Sequence, residues 1–70
     1  MDMIYVDSSN VDQIGYDAHV GEAHVIFKSG RHYIYSGVNQ EVWERFRDVP
    51  SKGRFINEEF KAKGYACREV

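Results

Sequence analysis

The chain has 70 residues, 43% apolar and 29% charged, with nine Lys and Arg against eleven Asp and Glu for a net charge of -2. This is the composition of one small globular domain, residues 1–70, and not of a disordered chain. No unbroken apolar run is long enough to span a membrane. The single cysteine, Cys67, excludes an internal disulfide and a structural cysteine zinc site.

The N-terminal stretch carries Asp2 and Asp7 around a short apolar patch and has no basic region, so no signal peptide is expected and a cytoplasmic location is. A chain of this size buries only about 60% of its unfolded surface. Its stability must come from a well-packed core or from oligomerisation. Charge is unevenly placed. Residues 1–27 hold five acidic residues and no Lys or Arg, while residues 28–70 hold all nine basic residues and six acids. A local basic face can bind phosphate although the whole chain is mildly acidic.

Met3 to Val6 is a short apolar run suited to a strand, broken by Ser8-Ser9-Asn10, whose side chains compete for backbone groups. Val11 to Tyr16 reads as a second strand, in which Gly15 suggests a bulge or a close backbone approach. Asp17 to Gly21 is a turn. Residues 22–36 carry the strongest local pattern: two β-prone runs around Lys28-Ser29-Gly30, a hairpin.

Two registers are open for that hairpin. A two-residue loop, Ser29-Gly30, places Tyr33 and Tyr35 with His24, Ile26, Lys28 and Arg31 on one basic, aromatic, solvent-facing platform. A three-residue loop, Lys28-Ser29-Gly30, sets Val25 opposite Tyr33 and Ala23 opposite Tyr35, on the apolar face. The second is favoured, because it needs positive φ only at Gly30, whereas the first needs it at Ser29 as well. A one-residue slip exchanges the faces. In either register His24 and His32 can approach each other, but the three histidines lack the local spacing of a zinc site.

Asn39 is a suitable N-cap for a helix over roughly 40–48, with Glu41 in its first turn and Val42, Phe46 and Val49 on one face. Trp43 reads as a partly buried anchor beside that face. Pro50 stops this helix. Ser51 can cap a second helix over roughly 52–63, with Ile56 and Phe60 as partners four apart, Glu59 and Lys63 as an outer ion pair and Gly64 just past its end. Tyr65 to Val70 reads as a last strand, suited to a sheet edge.

Four stretches in this order, Val6-Asp7-Ser8-Ser9-Asn10-Val11, Ile14-Gly15-Tyr16-Asp17, the Val25/Phe27–Gly30–Tyr33-Ile34-Tyr35 hairpin and Pro50-Ser51-Lys52-Gly53-Arg54-Phe55-Ile56-Asn57, resemble the KTSC domain. The resemblance covers about residues 6–70. That family is found at the C-terminus of some lysyl-tRNA synthetases and as stand-alone bacterial and phage-type proteins. It carries no established activity. Its attachment to synthetases implies RNA binding, and Tyr33 and Tyr35 match its central Tyr-x-Tyr pair, as Ser51-Lys52-Gly53 matches its Ser-Lys-Gly turn. The hairpin exit departs from the family's Val-Pro, with Val38-Asn39 in its place.

The residues expected to bind nucleic acid are Lys52, Arg54, Lys61 and Lys63 with Lys28 and Arg31 for phosphate, and Tyr33, Tyr35 and Phe55 for stacking on bases. Each has a structural alternative: Lys52 as a solvated turn residue, the tyrosines as buried amphipathic side chains. No acid–base pair, nucleophile constellation or metal-binding spacing is present, so no catalytic role and no cofactor are expected. The fold expected is α+β: a small antiparallel sheet with a central hairpin, packed on two C-terminal helices, plus a final short strand. The function expected is a non-enzymatic binding module for RNA. The alternatives are a protein-interaction or self-assembling module, or an oligomer holding a small anionic, nucleotide-like ligand near Ser51-Lys52-Gly53.

Overall fold

Five antiparallel strands lie side by side in chain order in a computed structural model describing residues 1–70: β1 (Met3–Tyr5), β2 (Val11–Asp17), β3 (Glu22–Phe27), β4 (His32–Ser36) and β5 (Cys67–Glu69). Between β4 and β5 the chain forms α1 (Gln40–Asp48) and then α2 (Lys52–Phe55), which runs on into a π-helical segment, Ile56–Lys61. The domain is α+β, with β1 and β5 at the two sheet edges. No helix is long and apolar enough to cross a membrane.

The hairpin adopts the three-residue register. Val25 pairs with Tyr33 and Ala23 with Tyr35, Gly30 N–H donates to Phe27 O, and Gly30 alone in the loop has positive φ, +94°. Ala23, Val25, Tyr33 and Tyr35 therefore share the face toward the helices. In β2 the core positions are Val11, Ile14 and Tyr16, a break in strict alternation caused by a register shift between Val11 and Gln13. The extra residue falls at Asp12 and not at Gly15. Gly15 marks the close approach instead: a Cβ there would collide with Met3 Sδ of the neighbouring strand.

Both helix starts are capped as the residue types require. Asn39 Oδ1 accepts from Val42 N–H at 2.9 Å, so the asparagine does the work of a helix-starting proline. Ser51 Oγ accepts from Arg54 N–H at 3.3 Å. The second helix departs from expectation beyond Phe55, where bonding becomes i→i+5, as in Ala62 N–H to Asn57 O. The spacing of Ile56 and Phe60 does not reveal this, because positions four apart share a face in either kind of helix.

The core joins Val11, Ile14, Ala23, Val25 and Tyr35 of the sheet to Val38, Val42, Phe46, Ile56 and Phe60. Tyr35 stacks on Phe60 with ring centroids 4.7 Å apart, and Phe60 meets Phe46 edge-on at 5.2 Å. Phe27 is only half-buried at the hairpin end of the sheet, whereas Tyr35 is 4% exposed and belongs to the core.

Candidate nucleic-acid interface

The serine-rich turn between β1 and β2 builds one wall of a surface trough. Ser8 Oγ accepts from the backbone N–H groups of Asn10 and Val11 and donates to Asn10 Oδ1, which holds the turn and aims the Asn10 side chain. Asn10 then connects two distant parts of the chain. Its carbonyl accepts from Lys28 N–H at 2.8 Å, tying down the hairpin tip. Its side chain lies over Gly53 at the start of α2.

Two clefts meet at Ser9 and Asn10. One, of about 400 Å³, runs between the 7–10 turn and Pro50, Ser51, Gly53, Arg54 and Asn57, and no hydrophobic side chain lines it. The other, of about 380 Å³, runs along the hairpin tip past Phe27, Lys28, Arg31 and Tyr33. The trough thus has a polar end and a basic, aromatic end. At the aromatic end Tyr33 meets Phe27 edge-on at 5.7 Å, and its hydroxyl accepts from Arg31 at 3.2 Å. Arg54 pairs with Glu58 at 2.8 Å, but both side chains are mostly exposed. Such a surface pair is weak, and a phosphate can displace the carboxylate.

Lys28, Arg31, Tyr33 and Arg54 are therefore brought together. The other expected ligand-binding residues are not. Lys52 is buried, and its ammonium donates to the carbonyls of Arg47 and Val49 at the end of α1. Burial pushes its pKa down, with Asp48 pulling the other way. It closes a helix end and presents nothing to a phosphate. Tyr35 is unavailable for stacking because its ring is sandwiched into the core against Phe60; burial, and then Cys67, push its hydroxyl up to about 12. Phe55 stacks on Phe46 at 5.2 Å with the Arg45 guanidinium over its ring, outside the trough.

Lys63 pairs with Glu59 at 3.0 Å, and Lys61 is exposed and unpaired on the π-helical segment. Neither lines the trough. Glu59 is itself buried. Burial pushes its carboxyl up, but the Tyr65 hydroxyl, Lys63 and Arg45 outweigh that and hold it below the usual value. Ser9, Asn10 and Asn57 were not singled out as ligand contacts from the sequence, although all three lie within the motif stretches. The signal for Asn10 was Gly53, whose missing side chain leaves room for it.

The KTSC domain family matches residues 7–65, which takes in both walls of the trough. An uncharacterized protein of Stutzerimonas stutzeri (strain A1501) is 34% identical over 65 residues, covering 93% of this chain and 92% of that one. The crystal structure of a KTSC domain protein from Yersinia pestis superposes with a TM-score of 0.88 at 31% identity, over 99% of this chain and 96% of that one.

Proposed function

The chain belongs to the KTSC domain family, and we propose that it works as a non-enzymatic module that binds single-stranded RNA along the trough centred on Asn10. The observation that carries this reading is the continuity of the two clefts through Ser9 and Asn10. It lines up Lys28, Arg31 and Arg54 for phosphates, the exposed part of Tyr33 for a base and the Asn10 and Asn57 amides for base or sugar edges. An overall charge of -2 gives no net long-range attraction to a polyanion, so affinity rests on these local contacts.

The test is a titration with a mixed RNA pool at about 50 and 200 mM salt, where phosphate contacts reveal themselves as salt dependence. Binding that weakens steeply with salt, and falls on replacing Lys28 and Arg31 by alanine, is the expected result. No binding at low salt overturns the reading.

A self-assembling module is the second reading. It is favoured by the free edge of β1, where Ile4 and Tyr5 are 40% and 78% exposed. Sedimentation velocity across a hundredfold concentration range tests it. A monomer throughout rejects it.

A further inference from the structure

On the sheet face turned away from the helices, His24 of β3 and His32 of β4 lie diagonally across the hairpin, because His24 pairs with Ile34 and Ile26 with His32. His24 Nδ1 and His32 Nε2 are 2.9 Å apart, with the rings tilted at 57°. Both side chains are half-buried and reachable from solvent. The nearest carboxylate row does not claim them: Glu22 is gripped by Arg68 at 2.7 and 3.1 Å and by the Ser36 hydroxyl. The two imidazoles therefore have only each other, one donating a proton and one accepting it.

The geometry points to a bidentate site for a divalent late first-row transition metal, held by His24 Nδ1 and His32 Nε2 with water in the remaining positions. Imidazole nitrogen suits zinc, nickel and copper and disfavours magnesium and calcium. Metal–nitrogen bonds of about 2.0–2.1 Å put two ligands about 2.9 Å apart at a right angle and about 3.3 Å apart in a tetrahedron. The observed 2.9 Å separation matches the first, and the rings must turn so that both lone pairs aim at one point beside the line between them, with a few tenths of an ångström of further separation reaching the second. Metal binding displaces the shared proton, which moves through solvent to the other nitrogen of its own ring, so that both ligating nitrogens present lone pairs. The site lies on the opposite sheet face from Tyr33 and does not depend on RNA binding.

The experiment is a calorimetric titration of protein lacking any affinity tag with ZnCl₂, read in parallel by the ring resonances of the three histidines. Zinc is chosen because the N-terminal amine competes for copper. One equivalent should bind, moving the His24 and His32 signals together while those of His19, an exposed turn residue, stay in place. His24→Gln and His32→Gln should each weaken binding at least about tenfold through loss of the chelate, and His19→Gln should leave it unchanged. Circular dichroism checks that the variants fold; if either does not, the wild-type resonances decide. No saturable binding up to millimolar zinc, or saturation without movement of the His24 and His32 signals, overturns the proposal.

Discussion

Asn10 and Gly53 meet across the trough, where a Cβ on Gly53 would lie 3.1 Å from Asn10 Oδ1 and 3.5 Å from its Nδ2. The contact places the 7–10 turn against the start of α2, and so joins two segments separated by most of the chain. It also explains the glycine at the second position of a helix, where a side chain would ordinarily help.

Gly53→Ala should consequently separate stability from binding. Alanine adds up to about 1 kcal/mol of helix propensity. The exposed Asn10 side chain can swing aside to admit the new methyl group, so thermal stability should hold or rise slightly. RNA affinity should fall, because Asn10 leaves its position in the trough. Equal affinity for the variant and the parent would remove Asn10 from the binding surface.

Lys52→Met should destabilise the fold by about 2 kcal/mol, the scale of hydrogen bonds made by a charged group. The methionine keeps the aliphatic stem but leaves the Arg47 and Val49 carbonyls without their donor. The folded fraction should bind RNA as the parent does. Urea unfolding gives the first quantity and binding at low temperature the second. A large loss of affinity with unchanged stability would return Lys52 to the phosphate-binding set.

Lys52 also shows where the sequence is ambiguous. In composition it is one cation in a basic stretch, flanked by Ser51 and Gly53, and its residue type does not separate it from Arg54. What separates them is the path of the turn at Pro50, which brings residue 52 back onto the last carbonyls of α1, Arg47 and Val49, five and three residues earlier. The hairpin was legible for the opposite reason. Positive φ at Gly30 and its absence at Ser29 are local properties, and they fixed which face Tyr33 and Tyr35 occupy. The π-helical turn was not legible, since the apolar spacing suits either helix. The trough was legible only in pieces, because its two walls meet through Asn10, a long-range contact with no spacing of its own.

Replacing both Lys28 and Arg31 by alanine should lower RNA affinity and make its logarithmic salt dependence shallower by about 1.4, at roughly 0.7 per phosphate contact on a single strand. Lys61→Ala should change neither quantity, although Lys61 is equally exposed and unpaired, because it does not line the trough. An effect of Lys61→Ala half as large as that of the double change, one charge removed against two, would mean that binding follows net charge alone and that the trough has no special place in it.

The hydroxyl of Tyr35 makes stability depend on alkaline pH. Its pKa is raised from 10.0 to about 12, by burial first and by Cys67 next. Below pH 10 both folded and unfolded chains hold the proton, and the contribution is fully present. Between these values the unfolded chain gives up the proton first, which favours unfolding. Stability should therefore fall as pH rises through that interval and level off above the folded pKa. Tyr35→Phe keeps the ring stacked on Phe60 and removes the titrating group. Urea midpoints at about pH 8, 10 and 11 for the two proteins isolate the effect, since all other groups titrate in both. The parent should lose stability relative to Tyr35→Phe as pH climbs. A difference that stays constant over the three values would show that Tyr35 ionises as freely in the folded chain as in the unfolded one.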